Sequence, residues 1–266
     1  MTVALAITCT AALVRASAFS QASETPESTV QRIIRADYQG DRAALARLAV
    51  ALAPLDRAAD GPLIRYWRGF GWWRRAINGF NESPTPPDLA DDLTRASDEF
   101  ERALALRPDF VDGLTGLLSC LQLKAYLARA EPDVLRTLLP AFRSTLARAQ
   151  AADASHPRLL WVAGQTAWYT PPGAAASVVA ERQAAAIGMY EQGLRELAAR
   201  KPGRALEPTW GEPELLMNLA WSRLNAATPD PVAAREYAER ALALVPDWHY
   251  VKDILLPQIR RALAPR

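Results

Sequence analysis

The stretch RYWRGFGWWRR, residues 65 to 75, sets Arg65, Arg68, Arg74 and Arg75 among Tyr66, Trp67, Phe70, Trp72 and Trp73. Guanidinium groups make forked, charge-assisted hydrogen bonds to carboxylates, and an indole stacks on a guanidinium or on an apolar side chain. The chemistry on offer is recognition of an acidic or carboxylate-ended chain. On a helix turning about 100° per residue, Leu63, Tyr66, Phe70, Trp73, Ile77 and Phe80 fall on one arc, with Gly69 and Ala76 at its edge. That arc is core. Arg65, Arg68, Trp72 and Arg75 lie on the adjoining side, and Trp67 and Arg74 near the other border. Two arrangements follow for the Arg/Trp side. It lines a groove that holds an acidic peptide, with Trp161 or Trp168 as an apolar contact further along, or its arginines pair with Asp91, Asp92, Asp98 or Glu99 of the next helix.

Little else in the chain could do chemistry. His156 and His249 are the only histidines, and neither has a second ligand at helical spacing, so no metal site is expected. Asp91-Asp92 and Asp98-Glu99 imitate paired carboxylates, yet adjacent residues on a helix diverge into solvent. There is no phosphate-cradling glycine loop, nucleophile elbow or Cys/His pair, so neither catalytic residues nor a cofactor are expected. Trp210 in PTWGEP and Trp248 in PDWHY are expected to wedge between helix pairs rather than to stack on a ligand. The 31 Lys+Arg against 29 Asp+Glu leave a formal charge of +2, without the one-sided field that tracks nucleic acid.

These residues need elements to hold them. Alternating β-branched runs are absent, whereas segments rich in Ala, Leu, Arg and Glu recur between Pro- or Gly-marked breaks. The pattern predicts helix pairs at 27–38 with 41–53, 62–80 with 88–106, 109–129 with 132–152, 157–170 with 178–200, and 213–226 with 231–245, then a capping helix over 247–263. Antiparallel pairs repeated along a chain predict a right-handed α-solenoid, in which each unit buries its apolar face on its neighbours. Two segments superpose without a gap: ASDEFERALALRPD from residue 96 and AREYAERALALVPD from residue 234. Ala96 falls on Ala234, Phe100 on Ala238, Ala103 on Ala241, Leu104 on Leu242 and Pro108 on Pro246.

On these residues the chain resembles the tetratricopeptide-repeat family over roughly residues 60 to 255, the superposed segments matching the second helix of that repeat. The runs HPRLLWVAGQTAWYTPP, LEPTWGEPELLMNLAW and PDWHYVKDILLPQI further resemble a group of exported bacterial repeat proteins. The resemblance implies a non-enzymatic scaffold that binds a protein or peptide in a groove lined by the first helices. Two other classes stand beside it: a structural subunit that self-associates through its concave face, and an enzyme with its site on the inserted loops.

At the N-terminus an apolar run from Val3 to Val14 precedes Ala16-Ser17-Ala18, the small-x-small pattern of signal-peptidase sites. Residues 1–18 are therefore read as a signal peptide. Residues 19–266 are read as one repeat domain, periplasmic or secreted, with no membrane span after processing; if 1–18 form a buried helix instead, the protein is cytoplasmic. The run is too short to cross a bilayer. Cys9 would leave with the signal, and Cys120 would have no disulfide partner.

Overall fold

The computed structural model describes residues 25–55, 60–201 and 203–264. The segment read as a signal peptide, with Cys9, lies outside them. The described residues form α1 (Pro26–Tyr38), α2 (Arg42–Ala51), α3 (Gly61–Glu82), α4 (Leu89–Leu106), α5 (Val111–Leu127), α6 (Pro132–Asp153), α7 (Pro157–Trp168), α8 (Ala176–Ala199), α9 (Glu212–Asn225), α10 (Pro231–Leu244) and α11 (Leu256–Leu263), and no strand. Caps and breaks follow the local chemistry. Thr25 caps α1 through the Ser28 backbone N–H, Asp41 and Asp230 cap α2 and α10, and proline stands in the first turn of α1, α3, α6, α7, α9, α10 and α11.

Consecutive helices pack as pairs and the pairs stack, giving the α-solenoid that the periodicity predicts. The superposed segments occupy equivalent places. Ala96, Phe100 and Ala103 of α4 and Ala234, Ala238 and Ala241 of α10 are all fully buried. Where α4 carries Phe100 instead of alanine, its neighbours give way: a Cβ at Gly69 of α3 would stand 2.9 Å from the Phe100 ring, and one at Gly116 of α5 closer still. The two glycines make the slot for that ring, which locks α3, α4 and α5 together.

Three features depart from the sequence reading. First, α3 is buried almost all round. Ile64, Trp67 and Arg74 join the expected arc in the interior, while Ile77 and Phe80 are only half-buried. The reason is that α1, α2, α4 and α5 all pack against it, and the segment before α9 fills its remaining side. Trp67 donates its indole N–H to the Leu206 carbonyl at 2.7 Å, and Trp210 donates to the Tyr66 hydroxyl at 2.7 Å.

Second, the capping helix is broken into a π-helical turn, Tyr250–Leu255, followed by α11. Pro257 has no N–H to offer the carbonyl four residues back, and its ring crowds that carbonyl, so the preceding turn widens.

Third, the two ends of the stack meet. The Tyr38 and Trp248 rings pack edge-on at 5.0 Å, and Tyr38 donates to Glu214 at 3.0 Å. Gly40 turns the chain after α1 at φ 71°, where a Cβ would come within 3.1 Å of the His249 ring. Only glycine serves both needs there.

Candidate functional site

Three arginines of the opening stretch turn to α4 and adopt the internal pairing. Glu99 lies within 3.3 Å of Arg65 and 2.9 Å of Arg68. Arg75 grips both oxygens of Asp92 at 2.5 Å and also meets Asp88, while Arg42 of α2 reaches Asp88 at 2.5 Å and Glu82 at 3.3 Å. Trp72 is buried beneath the Arg95 guanidinium, 4.9 Å from its ring centre. Neutralisation comes from Asp88, Asp92 and Glu99, so the expectation that Arg65, Arg68, Trp72 and Arg75 line a groove is corrected. Most of the core arc lies where the sequence places it, but the next helix covers the flank expected to meet a ligand.

A cavity lies on the other flank. Successive first helices α3, α5, α7 and α9 present Ile77 and Asn81, Gln122 and Leu123, Gln165 and Trp168, and Met217 and Trp221 to this cavity of about 280 Å³. Trp248 and Tyr250, from the C-terminal end of the stack, also line it. The expected Trp161 and Trp168 both line this cavity. Trp161 is 2% exposed and stands edge-on to Trp210 at 5.6 Å, whereas Trp168 is half-buried and packs edge-on against Trp221 at 5.2 Å. At its outer end the cavity continues, through shared Phe80, Gln122, Leu123 and Tyr169, into an apolar trough of about 550 Å³ between α5, α6 and α7. Tyr126, Leu139 and Tyr169 line this trough and are exposed.

Behind the inner end lies a buried ionic knot. Arg74 donates through Nε to both Asp37 oxygens at 2.8 Å and approaches Glu214 at 3.9 Å, and Asn78 donates to Asp37 at 2.8 Å. Glu214 also accepts from Tyr38 and from the Gly211 backbone N–H at 2.9 Å. All three ions are at least 95% buried. Burial pushes the Glu214 carboxyl up despite the nearby arginine, as expected where two carboxylates share one guanidinium. Charges so placed fix helices α1, α3 and α9 relative to one another, and none is left over for a ligand.

A second buried pair anchors the segment that carries Trp210. Arg158 holds Asp112 at 2.5 Å and donates to the Trp210 and Pro208 carbonyls at 2.7 and 3.0 Å. Burial alone would raise the Asp112 carboxyl, but the Arg158 guanidinium keeps it below the usual range. His156, 6% exposed and 3.8 Å from Asp112, is driven by desolvation from 6.5 down to about 4. Above pH 6.5 it is neutral in both folded and unfolded chains; as pH falls, only the unfolded chain takes the proton, until about pH 4. His156 should therefore remove about 3 kcal/mol of stability between pH 7 and 4. Urea unfolding of the wild type and His156→Gln across that window checks this, since the difference between them should shrink or reverse toward pH 4. A constant difference would show that His156 does not titrate on unfolding.

The sequence singles out Trp161 and Trp168 among the residues that line the cavity, but not Arg74, Asn78, Asn81, Gln122, Gln165 and Asn218. An amide beside a tryptophan looks like any polar flank until its neighbours are known. Among the described residues no group of three His, Cys, Asp or Glu could hold a metal ion, and none of their helices is long and apolar enough to cross a membrane. Burial pushes the Cys120 thiol up to about 12, which keeps it an inert thiol.

No family model matches the chain, and no curated protein matches it. Among solved structures, it is similar to a thermophilic TPR protein of Thermus thermophilus, with 18% identity over 84% of this chain and 98% of that one, at a TM-score of 0.42.

Proposed function

We propose that the protein is a non-enzymatic binding scaffold of the cell envelope, exported by its N-terminal segment, that holds a segment of a protein partner against the concave face of its first helices. The observation that carries this reading is the trough between α5, α6 and α7. Its wall includes Tyr126, Leu139 and Tyr169, which are 43%, 41% and 64% exposed, and large apolar side chains gathered in one concavity mark an interaction site more than scattered ones do. The partner surface it fits is apolar. The acidic partner expected from the arginine cluster loses its basis, because carboxylates of the protein itself occupy those arginines.

Site-specific photocrosslinking tests the reading. A photoreactive residue at Tyr126 or Tyr169 should trap a protein partner, whereas one at Leu106 or Leu244, equally exposed on the second helices α4 and α10, should not. Equal yields from all four positions would reject the trough as the contact surface. The mass of the N-terminal peptide isolated from cells tests export separately: a chain retaining residues 1–18 refutes it.

A further inference from the structure

We infer that the occupant of the trough and of the cavity it joins is a proline-rich segment in the extended, left-handed polyproline II conformation. The inference rests on the protein-binding reading above and names the chemistry of the partner segment. Charge, the arrangement of rings and the balance of hydrogen-bond donors point to it.

The lining is close to neutral. Among the described residues lining the two spaces, Arg74 alone carries a formal charge, and it is already committed to Asp37 and Glu214. A charged side chain entering there would lose its hydration without a counterion. The segment that fits is uncharged.

Rings follow one another along the path. Phe80 and Tyr126 stand edge-on at 6.3 Å where α3 and α5 border the trough, and Trp168 and Trp221 stand edge-on at 5.2 Å where α7 and α9 border the cavity. Tyr169 lines both spaces, and burial together with the neighbouring Tyr126 hydroxyl pushes its own hydroxyl up. Each edge-on pair leaves a notch with flat apolar walls, which suits a pyrrolidine ring. Neighbouring helices lie about 8–10 Å apart, so two notches two helix steps apart are separated by about 16–20 Å. Two turns of polyproline II, at three residues per turn, advance about 19 Å and return the side chain to the same face.

The donors complete the match. The Trp168 and Trp221 indole N–H groups and the Tyr126 and Tyr169 hydroxyls have no acceptor among the described residues, and unlike the Trp161 N–H those of Trp168 and Trp221 are not sealed off from solvent. A proline-rich chain brings the complement: its carbonyls are unbonded within the chain, and its prolines carry no N–H in need of an acceptor. A helical guest fits worse, because its carbonyls are spent inside the helix and the ring donors would lose their water without replacement. The ordering cost is small as well, since a free proline-rich segment already populates this conformation.

Titration of the full chain with capped decaproline, followed by tryptophan fluorescence and calorimetry, tests the inference. Binding below millimolar concentration is expected, with a capped Gly/Ser chain and a capped neutral Ala/Leu/Gln helix of the same length at least roughly tenfold weaker. Tyr169→Ala, at a side chain 64% exposed whose removal spares the fold, should weaken decaproline by roughly tenfold. Trp168→Phe, which keeps a ring and deletes the N–H, should weaken it by roughly three- to tenfold. No binding of decaproline at millimolar concentration, equal affinity for the three peptides, preference for the helix, or undiminished affinity in either variant overturns the inference. The photocrosslink at Tyr126 separates it from the reading it rests on: a partner trapped through a segment without proline overturns the inference and leaves the protein-binding reading intact, whereas the absence of any trapped protein defeats both.

Discussion

Arg74→Met should lower the stability of the fold by about 4 kcal/mol, the scale on which removing one partner strands a buried ion. Arg74 is the single positive charge between Asp37 and Glu214, and the three are 4%, 1% and 0% exposed. Methionine fills much of the volume, so the loss would come from two carboxyls left without a counterion. Asp37→Asn and Glu214→Gln added to Arg74→Met should restore a large part of the stability, because neutral amides need hydrogen bonds but no countercharge. Urea midpoints for the single and triple variants check the pair of expectations. A single change costing under about 1 kcal/mol would mean that water reaches the knot and screens its charges.

Trp210→Ala should cost a similar amount, roughly 3–5 kcal/mol by the usual scale for a buried aromatic. Its ring, 3% exposed, sits edge-on or tilted to Phe70, Trp73 and Trp161 at 5.6 to 5.7 Å. The deletion removes more than area. The Tyr66 hydroxyl loses the indole N–H it accepts from, and the segment from Leu206 to Gly211 loses the side chain that pins it against α3. Thermal unfolding measures the cost, and hydrogen exchange of the Trp67 indole, which donates to the Leu206 carbonyl, reports the detachment. An unaltered exchange rate at Trp67 would place the anchoring in Arg158 instead. Trp210→Phe is the companion variant that retains a ring while deleting the donor.

Helix positions were legible because they depend on neighbours a few residues away. The Ala/Leu/Arg spacing and the prolines at helix starts set α4 and α10 within a residue or two of their observed bounds, and the superposed segments put the same small residues at both pair interfaces. The partners of Arg65, Arg68 and Arg75 were also within reach, since they lie on the next helix. What decided which partner they take, acidic ligand or α4, was the direction of the flank, and one helix seen alone does not fix that. The deep site was least legible. Tyr38 and Glu214 are 176 residues apart in sequence, and no local pattern marks Arg74 as their shared neighbour. Its position near the border of the core arc looks like that of an arginine reaching for water.

The contact between the two ends has a mechanical consequence. A stack of helix pairs that touch only their neighbours behaves as a spring: small rotations at each interface add up, and the concave face widens or narrows with little cost. Here Tyr38 against Trp248, and Asp37 with Arg74 and Glu214, tie the first coil to the last. Stretching the spring would break a buried ion pair, so its pitch is fixed and the width of the groove with it. Under the proposed function, a guest meets walls already in place, and the ordering that an elastic groove would owe at each binding event is settled once, when the chain folds.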